Sequence, residues 1–140
     1  MSIIQTQTTS FKAELYQAIH NLTTDTLKIA LYTGNATLNE STTAYSTTNE
    51  ITGAGYTAGG VTLTGVTVNS SGYTAYVSFT NPSWTSASFT ARAALIYNAS
   101  KANRSIAVLD FGADKTVTNN TFAIVLPGNT AADALIRSSN

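Results

Sequence analysis

Asp25-Thr26-Leu27-Lys28-Ile29-Ala30-Leu31-Tyr32-Thr33-Gly34-Asn35 is the stretch on which the fold turns. Leu27, Ile29 and Leu31 alternate with Lys28, Ala30 and Tyr32, the period of a strand with one face buried, and Gly34-Asn35 ends the run. The same pattern recurs downstream. Val61, Leu63, Val66 and Val68 alternate with a change of parity across Gly65, which predicts a β-bulge there. Ser70-Ser71-Gly72 supplies a turn, and Tyr73, Ala75, Val77 and Phe79 share one face of the next strand. Asn81-Pro82 breaks that strand and leaves Trp84 and Phe89 in a connection. Ala91–Tyr97 and Ser105–Phe111 read as two further strands, joined by residues 98–103. Gly112 to Asn120 reads as a polar turn region, after which Phe122, Ile124 and Leu126 alternate up to Pro127-Gly128. A last short strand is expected around Ala134–Arg137.

Upstream, the period is helical. With Ser10 as N-cap, Phe11, Leu15, Ile19 and Leu22 form one stripe with Ala18, and Lys12, Glu14, Gln17 and His20 take the other side. This predicts one amphipathic helix of about three turns lying on a sheet. Residues 1–9 form a polar arm whose sizeable apolar side chains after Met1 are Ile3 and Ile4. It is either a frayed end or an arm that orders against a neighbouring subunit. Residues 35–52, rich in Thr and Ser, read as a long surface loop anchored by Tyr45 and Ile51. One helix followed by about 7–8 evenly spaced strands lacks the alternation of a parallel α/β fold. The expected architecture is a single mainly β domain over residues 1–140, an antiparallel β-sandwich or barrel-like fold.

Composition narrows the chemistry. Of 140 residues 7 are basic, 7 acidic and one is histidine, with no cysteine, and the formal net charge is zero. Disulfides and thiolate metal sites are excluded. The seven cations are scattered, which argues against nucleic acid. No stretch approaches the ~20 apolar residues of a membrane helix, and the first residues carry no signal-peptide pattern, so synthesis in the cytoplasm without export is expected. Near-zero charge favours association, which suits a subunit better than a free monomer.

Candidate motifs are weak. Gly53-Ala54-Gly55-Tyr56-Thr57-Ala58-Gly59-Gly60 resembles a nucleotide loop, but its third glycine comes one residue late and a strand follows. Positive φ and close backbone approach explain these glycines better. His20 has Asp25 nearby and many hydroxyls, yet no nucleophile elbow is present, and it is expected to be exposed or partner-facing. Asp110 and Asp114 lack the further oxygens of a calcium loop. Glu40 and Glu50 show no partner. Catalytic residues, metal ligands and cofactors are therefore expected to be none.

Five segments carry a resemblance: Phe11-Lys12-Ala13-Glu14-Leu15, Asp25 to Tyr32, Gly53 to Gly60, Ala91 to Asn98, and Asn103 to Gly112. In these, from about residue 10 to 127, the chain resembles small virion structural proteins of tailed bacteriophages, of the capsid decoration (cement) type. The resemblance implies a homo-oligomer, often a trimer, docked on the major capsid protein or other virion proteins, with no enzymatic activity and no nucleic acid or membrane partner. Virion localisation follows from it. A tail or head-fibre component is the structural alternative. A carbohydrate-binding module, with Trp84 and the tyrosines as a stacking platform, is the alternative of another class. The candidate partner contacts are Ile3, Ile4, Tyr45, Tyr56 and Trp84.

Overall fold

The computed structural model describes residues 3–128 and 130–139; Met1 and Ser2 of the expected arm lie outside them. Its elements are β1 (Thr6–Gln7), α1 (Thr9–Tyr16), β2 (Leu27–Tyr32), β3 (Val61–Thr62), β4 (Thr67–Ser71), β5 (Thr74–Ser78), β6 (Ser83–Asn98), β7 (Arg104–Ala123) and β8 (Ile136–Ser138). They build two antiparallel sheets, one ordered β1-β7-β6-β2-β3 and one ordered β4-β5-β8. The barrel is not closed, so the sandwich alternative holds.

The two-residue period does what it predicted. Leu27, Ile29 and Leu31 of β2 and Ile96 of β6 enter one apolar cluster with Val77 of β5 and Ile136 of β8. Trp84, Phe89 and Phe122 add an aromatic part, with ring centroids 5.9 Å apart for Trp84–Phe122 and 5.1 Å for Phe89–Phe122. The alternate residues Ala30, Tyr32, Leu95, Tyr97 and Val108 face the other way and form a second cluster with Ala36 and Leu38. Along β2, the second half of β6 and the first residues of β7, the five-stranded sheet is thus buried on both faces.

Several expectations change. Trp84 and Phe89 do not sit in a connection: β6 resumes straight after Pro82 and runs for 16 residues. Gly112 to Asn120 is not a turn region but the middle of the 20-residue β7. Its register against β6 shifts between Ala91 and Ala93, which face Lys115 and Asp110, and Gly112 sits at φ +79° in the bulge between them. At Gly65 there is no bulge within one strand. β3 belongs to the larger sheet and β4 to the smaller, so the parity change marks the chain crossing between layers.

The helix is shorter than its stripe implied. Its N-cap is Thr8, whose Oγ1 accepts from the Phe11 N–H at 3.3 Å, and not Ser10. Ala18 adopts φ +59°, and the Gln17 and Ala18 amides bond back to the Glu14 and Leu15 carbonyls, which ends the helix. The stripe therefore breaks: Phe11 and Glu14 are buried while Leu15 is 37% exposed.

The expected arm is part of the sheet. Ile3 bridges Leu38, and Thr6 and Gln7 pair with Val108 and Ala107 of β7. The 35–52 segment likewise lies on the protein, where Ala44 bridges Arg104 and Glu50 bridges Tyr32. Ala36 and Leu38 anchor it alongside Tyr45 and Ile51.

Candidate functional site

His20 is buried, contrary to the expectation of an exposed histidine, and it stands in a chain of polar groups. Arg104 Nη1 donates to Glu14 Oε2 at 2.8 Å, and Glu14 Oε1 lies 2.8 Å from His20 Nε2. On the other side Asn98 Nδ2 lies 2.9 Å from His20 Nδ1 and 2.8 Å from Asp25 Oδ2, which Lys101 Nζ reaches at 2.9 Å from Oδ1. The Asn98 carbonyl oxygen is taken by the Ser100 N–H at 3.0 Å, so its amide nitrogen must face the ring. Nδ1 then accepts and Nε2 carries the proton. Both ring nitrogens are occupied, and neither touches a hydroxyl. This arrangement cannot activate a nucleophile, because a base needs a free lone pair aimed at the proton it removes. It works as a clamp between α1, residues 20–25 and the β6–β7 turn. Burial opposes the charge of Asp25, but the Asn21 N–H, Asn98 and Lys101 outweigh it and hold the carboxyl at about 2.

Glu50, for which the sequence offered no partner, has three. Its oxygens accept from the Tyr45 hydroxyl at 2.7 Å, the Tyr56 hydroxyl, and the Gly59 N–H at 2.7 Å. The Tyr45 ring stacks on Tyr97 at 4.6 Å, Tyr97 donates to the Gly59 carbonyl at 2.7 Å, and Tyr32 donates to the Ser46 carbonyl at 2.6 Å. Burial, with the Glu50 charge adding to it, pushes the Tyr97 hydroxyl up to about 12 and raises Tyr32, Tyr45 and Tyr56 further. The glycine reading is supported at Gly60, where φ is +79° and a Cβ would lie 1.7 Å from the Ile29 carbonyl oxygen.

The candidate contacts consequently scatter. Tyr45 and Tyr56 are half-buried and spend their hydroxyls on Glu50. Trp84 is 3% exposed and cannot form a stacking platform. Ile3 bridges Leu38, and Ile4 alone of the five has a large exposed apolar side chain. Among the described residues no three His, Asp or Glu side chains gather where a metal could be held. Asp110 pairs with Arg92 at 3.4 Å.

What the surface does offer was missed. Two grooves lie side by side between α1 and the three-stranded sheet, sharing Gln7, Ala75, Arg137 and Ser138. One is apolar, about 520 Å³, with Leu15, Leu22, Val68 and Ile136 in its walls. The other is polar, about 810 Å³, and carries Tyr16 and Tyr73. A signal existed for Tyr16: at roughly 100° per residue it falls well off the buried side marked by Phe11. Beyond the grooves, the outer edge of β7 from Phe111 to Ala123 pairs with no strand among the described residues, since β1 covers only Ala107 and Val108. No family model, no curated protein and no solved structure matches this chain.

Proposed function

We propose that the chain is a bacteriophage virion structural protein, a capsid decoration subunit that binds the assembled shell and stabilises it. The observation that carries this reading is the open edge of β7. Soluble monomers keep edge strands short, charged or covered, because a row of free N–H and C=O groups recruits other strands. Here β1 and β3 are two residues long, whereas the uncovered part of β7 is more than half of the longest strand. Its far part, from Thr116 to Ala123, carries no charge, with Thr116, Thr118, Asn119, Asn120 and Thr121 all exposed, and Asp114 and Lys115 stand together before it. Such a surface can be buried against a neighbouring copy or a capsid protein without stranding ions. His20, Asp25 and Glu50 are spent on internal bonds, which supports the same reading. A subunit that binds only the closed lattice stabilises it by mass action.

The test is mass spectrometry and cryo-electron microscopy of purified particles, together with a mass measurement of the free protein. Hundreds of copies per particle, seated through the β7 edge, are the expected result. A handful would mean a tail or head-fibre position, and absence would end the virion reading. Thr118→Lys combined with Thr121→Lys should abolish shell binding and leave the fold intact by circular dichroism.

A further inference from the structure

The polar groove gathers groups that the virion reading does not use. Tyr16 and Tyr73 are 93% and 89% exposed, so their rings make almost no contact with the protein, yet both line one groove of about 810 Å³. That size is within the range of small-molecule sites, roughly 300–1,000 Å³. Large aromatics left wet on a chain that buries Trp84 and its five phenylalanines at least partly are out of character. The same groove has hydrogen-bonding groups already fixed in place. Gln5 and Gln7 alternate along the β1 segment and share a face. Gln5 Oε1 accepts from the Asp110 N–H at 3.2 Å, which leaves its NH₂ as a donor. Gln7 Nε2 donates to the Arg137 carbonyl at 2.9 Å, which leaves its carbonyl oxygen as an acceptor. The Arg137 guanidinium is held in turn by the Ala134 carbonyl at 2.7 Å.

We propose that this groove binds a neutral oligosaccharide. A pyranose has a face of C–H groups that lies on an aromatic ring and a rim of hydroxyls that each donate and accept. Exposed tyrosines beside one pinned donor and one pinned acceptor match that surface on both counts. An anionic ligand fits less well, because the Arg137 guanidinium already donates to the Ala134 carbonyl and Asp133 offsets Lys12. An apolar peptide fits the neighbouring groove of Leu15 and Val68 better. The proposal uses none of the β7 edge residues, so it stands or falls apart from shell binding.

The full chain is screened on a glycan array of neutral and acidic oligosaccharides, and the strongest neutral hit is titrated by calorimetry. Expected is a neutral glycan whose affinity falls roughly tenfold or more in Tyr73→Ala and in Tyr16→Ala. Tyr73→Phe should keep most of the binding, which is the mark of stacking. The affinity should hold as salt rises from roughly 50 to 500 mM. Both tyrosines are solvent-exposed, so circular dichroism of the variants should match the parent. Three outcomes overturn the proposal: no glycan is bound, the tyrosine variants bind as the parent does, or only acidic glycans bind and salt releases them. The last would mean capture of anions by Lys12 and Arg137.

Discussion

The two faces of the five-stranded sheet are closed by different physics. On one, Leu27, Ile29, Ile96 and Ile106 meet the three-stranded sheet and the Trp84, Phe89 and Phe122 rings, an apolar seal made by volume. On the other, the excursion from β2 to β3 lays Ala36, Leu38 and Tyr45 over Ala30, Leu95 and Val108. It is held there by directed bonds to Glu50 and by close backbone approach at Gly60. The first face should give way in proportion to atoms removed, and the second all at once when one pin is pulled.

The largest effect is expected where the two faces share a backbone contact. In Gly60→Val the new Cβ would overlap the Ile29 carbonyl oxygen on the central strand pair, at a φ that valine avoids. A loss of about 4 kcal/mol or more should appear as a lower urea midpoint. A variant as stable as its parent would show that the excursion is not clamped here. Next comes the apolar side. Trp84→Ala should cost roughly 3–5 kcal/mol. Trp84→Phe should cost only about 1 kcal/mol, because the buried Trp84 Nε1–H has no acceptor among the described residues and its removal offsets part of the lost volume. Equal losses in the two variants would refute the volume argument.

On the polar side, Glu50→Ala strands three donors and should cost about 2 kcal/mol in the same assay. It should also flatten the alkaline limb. The cluster tyrosines titrate higher when folded than their ordinary 10.0, so the native state keeps protons that the unfolded chain releases. Stability is then full below pH 10 and falls as pH rises towards 12 and beyond. Without the Glu50 charge that fall should be shallower in pH-dependent melting. A smaller effect belongs to Asp25→Asn, about 1–2 kcal/mol at neutral pH, because its Lys101 partner is partly exposed and the Asn side chain still offers an acceptor to the Asn21 N–H. Asp25 titrates at about 2 against an ordinary 3.8, so its contribution is present at neutrality and lost as pH falls through that interval. The Asn variant should lack that part of the acid limb.

The same contrast explains what could be read from the sequence. Strands sealed by volume announce themselves: Leu27, Ile29 and Leu31 alternate because one face must be dry. The far half of β7 did not, since Thr116, Thr118 and Asn120 face solvent and carry no alternation. Nor did the clamp over the second face. Glu50 looked idle because its partners lie 5, 6 and 9 residues away in a segment with no regular period. The helix was over-extended because Leu15, Ile19 and Leu22 fit a stripe, while the left-handed turn at Ala18 is made by a residue that gives no warning of it. Of the candidate contacts, aromatic type was legible and exposure was not. Tyr45, Tyr56 and Trp84 turned inward, and the wet aromatics are Tyr16 and Tyr73.

One feature of the clamp bears on how the chain is made. Glu14 is held by Arg104, 90 residues later, and Thr8 by Ser105, 97 residues later, while β1 pairs with β7. Residues 6–14 therefore leave the ribosome long before their partners on β7 exist to receive them. Contacts so distant along the chain close slowly. These residues are among the last to be fixed, and they lock the β6–β7 turn only after both long strands have emerged.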